Sequence, residues 1–180
     1  MAQASAPPTQ PQPKASAAAI KPQKRVRTPT IVQMETTESG AVALAIVLGA
    51  YGLFLEQDVF RDGAAPENVV KAATSFGMEA ALHDDINTAR LLTLPTPLIA
   101  LTEGGQYVVV EGYNEKSVFV NNPASGAKTY THRDFKSAFD DLAITLAPGP
   151  NFKKGGKAPS NLAALTERLQ GSRISLAFVL

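Results

Sequence analysis

Residues 41–48, Ala-Val-Ala-Leu-Ala-Ile-Val-Leu, are apolar without interruption. On a helical period of about 3.6 residues such a run has no polar stripe, so a helix built from it has no face to give to water. The run is far below the roughly 18 residues that a membrane helix requires, and no longer apolar run occurs in the chain. Other elements of the same protein must therefore enclose it. Thr36, Thr37, Glu38 and Ser39 precede it as cap-type and first-turn residues, and the glycines at 49 and 52 mark its end. A small domain wrapped around one central helix is the constraint from which everything else is read.

The remaining elements follow that helix in a definite order. Pro66 at a first-turn position, with Val69, Val70, Ala73 and Phe76 at helical spacing and Gly77 beyond, predicts a second helix. Strand signals then take over at 98–101, 107–111 and 118–120, which are rich in β-branched and aromatic residues. Gly104-Gly105 and Tyr113-Asn114-Glu115-Lys116 separate them, so three consecutive antiparallel strands are expected. A strand at 128–131, a short helix at 133–139 and a strand at 142–146 complete the set. Helices first and a meander afterwards is an α+β pattern, with no βαβ rhythm of a nucleotide-binding parallel sheet.

Charge divides the chain into three parts. Residues 1–29 carry five bases and no acid, residues 30–149 carry 7 bases and 15 acids (net −8), and residues 150–180 carry five bases and Glu167 (net +4). An acidic body between two basic ends disfavours a nucleic-acid binder, because the body lacks the basic surface that phosphates need. The first 29 residues hold six prolines and only Ile20 and Val26 as large aliphatic side chains. They are expected to be a disordered Pro/Ala/Gln-rich tail, since so little apolar area cannot offset the entropy of ordering. The body is expected to span 30–150. Residues 151–173 read as a linker with a short amphipathic helix, and 174–180 as the start of a transmembrane helix continuing beyond this sequence. The chain as given is then expected to be the soluble N-terminal piece of a membrane protein.

Few residues offer chemistry. There is no cysteine, so disulfides, thiolate zinc sites and cysteine nucleophiles are excluded, and His83 and His132 are too few for a histidine-rich metal site. No phosphate-binding glycine loop or nucleophile elbow is present. Asp84-Asp85 and both histidines read as surface or structural residues. No metal and no cofactor is expected.

A resemblance sharpens this. Gln33-Met34-Glu35-Thr36-Thr37-Glu38-Ser39-Gly40-Ala41 is similar to the Q-M-E-x-x-E-C-G-A signature of the C39 peptidases, papain-like domains at the N-terminus of bacterial ABC exporters of bacteriocins and related peptides. The similarity continues through Tyr51-Gly52, Arg61-Asp62-Gly63, Gln106-Tyr107-Val108-Val109-Val110-Glu111-Gly112 and Val118-Phe119-Val120-Asn121-Asn122-Pro123, and ends near Phe152. Between Gly52 and Arg61 this chain is shorter than the family's usual segment. The resemblance implies a papain-like α+β fold of helices packed on an antiparallel sheet.

Carried over residue by residue, it implies that the family's nucleophilic cysteine falls on Ser39, its general-base histidine on Gln106, and its orienting aspartate on Asn122. Gln33 matches the side-chain donor of the oxyanion hole. A serine hydroxyl needs a neighbouring base, and a glutamine amide is not one. The resemblance therefore implies a catalytically inactive C39-like domain, not an enzyme in itself, that docks leader peptide or regulates transport. Similar domains of haemolysin-type exporters lack the cysteine and serve as docking modules. The implied partners are precursor peptide, the transmembrane and nucleotide-binding domains of the same exporter, and a partner exporter subunit with an active peptidase. ATP and Mg belong by resemblance to the parent transporter, and the implied location is the cytoplasmic face of the bacterial inner membrane. The alternative is a true C39 cysteine peptidase for double-glycine leaders whose active site has been mutated.

Overall fold

The structure, a computed structural model, describes residues 22–31, 39–55 and 65–157. The central helix forms as expected: α1 (Ser39–Ala50) is buried along nearly its whole length. The second helix is α2 (Pro66–Ser75), with Pro66 in its first turn and Glu67 beside the positive end of its dipole. Then follow β1 (Met78–His83), the single turn α3 (Thr88–Leu91), β2 (Leu98–Thr102), β3 (Gln106–Tyr113), β4 (Ser117–Asn122), β5 (Gly126–Thr131), α4 (His132–Ala138) and β6 (Phe139–Pro148).

The strands form one antiparallel sheet in the order β1-β6-β2-β3-β4-β5. The expected meander is β2-β3-β4. The final strand does not extend it but returns to pair between β1 and β2. Residues 78–83, for which the sequence predicts no strand, are an edge strand paired with β6 from Met78↔Pro148 to His83↔Ala143. Met-Glu-Ala-Ala-Leu carries no β-branched residue, so its strand state comes from that pairing and not from local propensity.

Side-chain alternation divides the interior into two cores. Ile99, Tyr107, Val109, Ile144 and Leu146 face α1 and α2, where they meet Leu44, Ile46, Val47, Leu48 and Val69. Leu98, Ala100, Val108, Val110 and Ala143 face the other way, onto Leu91, Leu92, Tyr113, Phe135 and Phe139. The central strand β3 is buried on both faces, which is why Tyr107 to Val110 form an unbroken apolar run and not an alternating one. On the second face Thr131 caps α4, accepting from the Asp134 N–H at 3.1 Å, and Phe135 stacks on Phe139.

Two boundaries differ from the composition-based expectation. Residues 22–29 lie against the sheet: the Gln23 N–H donates to Tyr113 O at 2.9 Å and the Val26 N–H to Glu111 O at 2.8 Å. They are held by polar groups, which a count of apolar residues does not register. Residues 151–157 fold back onto the far end of α1 instead of starting a linker. There the Phe54 N–H donates to Gly155 O at 2.9 Å and Phe152 meets Tyr51 edge-on at 6.4 Å. Residues 1–21 and 158–180, including the expected amphipathic helix and apolar end, lie outside the described residues. Among the described residues no helix is long and apolar enough to cross a membrane.

Because α1 is enclosed on all sides, trimming its core has little room to relax. Ile46→Ala, at a fully buried position, is expected to destabilise the domain by about 2–5 kcal/mol in urea titrations. Lys71→Ala, on the exposed side of α2, is expected to stay within about 0.5 kcal/mol of the parent.

Burial raises the hydroxyl pKa of Tyr51, Tyr107 and Tyr113 above the ordinary value, and the Glu67 carboxylate adds to the effect at Tyr107. The Tyr51 and Tyr113 hydroxyls donate to Leu146 O and Leu94 O, a role a phenolate loses. The neutral form is thus favoured in the fold, and this stabilisation is complete below the unfolded-chain pKa of about 10. Stability is expected to fall as the pH rises from there through the raised native values. Urea midpoints measured on both sides of that pH, with near-ultraviolet phenolate absorbance in parallel, check the sign.

Candidate active site

Ser39 is the first residue of α1 and only 2% exposed. Its position depends on Gly40. A Cβ there would come within 3.1 Å of Val69 and 3.2 Å of the Tyr107 ring, so the missing side chain lets the helix start lie directly on β3 and α2. In that position Ser39 Oγ accepts the backbone N–H of Tyr107 at 3.3 Å. Gln106, the residue before Tyr107 and the first of β3, is thereby brought next to Ser39 from 67 positions away in the sequence.

Asn122 closes β4. The β3–β4 register pairs Val109 with Asn121, so Asn122 lies one step further toward the Gln106 end of the sheet. Its side chain is part of the turn that follows: Oδ1 accepts the Ala124 N–H at 2.7 Å. The start of α1 therefore lies at the Gln106 end of β3, and Asn122 closes β4 at the same end of the sheet. Gln33, the expected oxyanion donor, lies outside the described residues.

The side chains of Ser39, Gln106 and Asn122 are neutral, one hydroxyl and two amides. The free N–H groups of an α1 start favour an anion. A serine hydroxyl does not become one unless a base takes its proton, and the Gln106 amide has no basic lone pair. Neither histidine takes that part. His83 is on the edge strand β1, with Nε2 3.0 Å from Thr145 Oγ1. His132 opens α4 beyond the opposite edge strand, where Nε2 donates to Asn114 O at 2.8 Å. Their reading as structural residues agrees with these contacts. Asp84 and Asp85 are exposed after β1, and Asp85 adopts a left-handed φ of 53° that suits a turn residue. Among the described residues no group of acidic and histidine side chains is arranged to hold a metal.

Sequence reasoning missed the contact that registers the helix on the strand. Gly40 sits inside the matched signature, yet its role is steric and becomes visible only once Val69 and Tyr107 are placed beside it.

The comparisons with known proteins concern this same region. The model of the peptidase C39 family matches residues 27–151. The chain is 25% identical over 160 residues to the colicin V secretion/processing ATP-binding protein CvaB of Escherichia coli, covering 84% of this chain and 23% of that protein. It thus spans about a quarter of that relative's length. Among solved structures it matches a double glycine motif protease from an AMS/PCAT transporter, in complex with the leader peptide. That match has 31% identity, a TM-score of 0.65, and covers 71% of this chain and 97% of the other. The peptidase domain of Streptococcus ComA has the same fold, with a TM-score of 0.59 at 23% identity over 68% of this chain and 98% of the other. With the family model matching well over half of the chain, this protein belongs to the peptidase C39 family.

Proposed function

We propose that this domain docks the leader peptide of a precursor exported by an ABC transporter, and that it has no peptidase activity of its own. The observation that carries the reading is the composition of the neighbourhood around Ser39. By resemblance to the family, a hydroxyl falls at the nucleophile position, and Gln106 and Asn122 fall where a base and its orienting acid would be. A triad stripped of its catalytic groups retains at most about 10³–10⁴-fold acceleration over water, far below useful turnover. All three replacements are polar and of similar size to the family residues, so the helix start and sheet end keep their shape without the proton transfer.

Binding does not need that chemistry. A leader peptide that presents an amphipathic helix is recognised by an apolar surface at i, i+3, i+4 spacing. The net −8 of residues 30–149 favours basic cargo over acidic cargo. Support for the transporter setting comes from the CvaB and AMS/PCAT relatives. In this reading ATP and Mg act in the parent transporter, the domain works at the cytoplasmic face of the inner membrane, and a partner subunit supplies cleavage where cleavage is needed.

Calorimetry and mass spectrometry on one mixture test it. The 180-residue chain and a synthetic leader ending in the double-glycine motif are expected to associate with micromolar affinity, and the peptide is expected to remain intact over many hours. Cleavage by the unmodified chain would overturn the loss of activity, and absence of binding would overturn the docking role. The variant combining Ser39→Cys, Gln106→His and Asn122→Asp is expected to cut the same peptide, whereas Ser39→Cys alone is not, because the thiol still lacks its base.

A further inference from the structure

The carboxylate of Glu111 is buried in β3, 2% exposed, at a point where the β3–β4 register shifts. Among the described residues, all of its side-chain partners come from the segment that precedes α1. Arg25 Nε donates to Oε2 at 2.7 Å, and the Thr28 N–H and Oγ1 donate to Oε1 at 2.9 and 2.7 Å. The same segment fills a gap in the sheet. The last β2–β3 pair is Leu98↔Val110, so beyond it β3 has no β2 partner, and Gln23 bridges to Tyr113 there instead.

Further contacts fasten it at both ends. The Gln23 side chain donates to Leu94 O at 3.0 Å and accepts the Thr96 N–H at 3.0 Å. The Arg25 guanidinium lies 5.0 Å over the Phe119 ring, and the chain passes so close to Gly112 that a Cβ there would come 2.7 Å from Arg25 Cα. Asn121 Nδ2 donates to Thr28 Oγ1 and Pro29 O. Pro29 then packs against α1, where a Cβ on Gly49 would lie 2.7 Å from its ring. Gln23 and Arg25 lie upstream of the stretch that matches the family.

We propose that Glu111 is a positioning residue. Its buried carboxylate latches residues 23–29 along the unpaired flank of β3, and through Pro29 the latch seats α1, with Ser39 at its start, on the sheet. An ionised carboxylate without its donors is poorly tolerated in the interior, so releasing the segment exposes or strands Glu111 and is opposed for that reason. That the latch also tunes peptide docking rests on the function proposed above.

Hydrogen exchange on the full chain, with Glu111→Gln and Arg25→Ala as variants and Arg25→Lys as the conservative control, tests the latch. The Gln23 and Val26 amides are expected to exchange about tenfold or more faster in the first two variants. The α1 amides are expected to quicken with them, the β1–β6 amides to hold, and Arg25→Lys to restore much of the protection. Unchanged exchange at Gln23 and Val26 would overturn the latch, and faster exchange there with α1 unaffected would overturn the positioning role. Should Glu111→Gln fail to fold, Arg25→Ala decides by the same criteria, since its side chain is 34% exposed and leaves no core cavity. Leader affinity, read on the same samples in the absence of urea, where each variant is folded, is expected to fall about fivefold or more in Arg25→Ala. An unchanged affinity would overturn the link to docking. If the parent chain binds no leader at all, the proposed function fails while the exchange pattern still decides the latch.

Discussion

The enclosure of α1 organises this molecule. A helix without a polar face is stable only if each of its sides is covered, and here four different parts of the chain supply the cover. The sheet provides Ile99, Tyr107, Val109 and Ile144, and α2 provides Val69. Pro29 and Ile31 close the helix from the incoming chain, and Tyr51, Leu53 and Phe152 close its far end. Burial of this kind is non-directional and fixes that the helix is inside, not where along the strand it sits. The register comes from small local devices: the absent side chain of Gly40, the Tyr107 N–H on Ser39 Oγ, and the polar fastening of residues 23–29.

That division means that the three positions are held in place independently of any reaction. Ser39 is held by Gly40, Val69 and Tyr107, none of which depends on its being a nucleophile. Gln106 is held by strand pairing with Thr102, whose hydroxyl also donates to its carbonyl oxygen. Asn122 is held by pairing with Gly126 and by its turn hydrogen bond. Each position is fixed by its backbone, so a replacement of similar size is accepted without disturbing the fold. Fold and reaction are separable properties here, and the reaction has to be argued from side chains alone.

What was legible in the sequence follows the same physics. The helices α1 and α2 and the meander β2-β3-β4 announce themselves through uninterrupted or periodic apolar residues, because burial selects residue type directly. The family was legible because a dense signature, Gln33 to Ala41, runs into the start of α1. Residues 78–83 were not legible as a strand, since Met, Glu, Ala and Leu say nothing of an edge whose only requirement is β6 beside it. Residues 151–157 were not legible as part of the domain because their attachment runs largely through backbone groups of Gly52, Phe54 and Gly155, which carry no sequence signal. The segment 22–29 was misread for a related reason: its composition is that of a solvated tail, and its contacts are made by polar side chains.

The buried Glu111 shows why such a polar attachment persists beside an apolar core. A carboxylate in the interior is a poor source of net stability, since its desolvation cost is comparable to what Arg25 and Thr28 return. Its value is directional. An apolar residue at 111 would fill the same space and accept any apolar neighbour, whereas the carboxylate admits only a segment that brings a guanidinium, an N–H and a hydroxyl to its two oxygens at once. Asn121, with one side-chain oxygen buried and unpaired among the described residues, points the same way. It gives up one hydrogen bond to make two specific ones to Thr28 and Pro29. Together these two residues convert a chain end of low hydrophobicity into an element with a single seat. That seat runs from the Tyr113 end of β3 to the Gly49 end of α1.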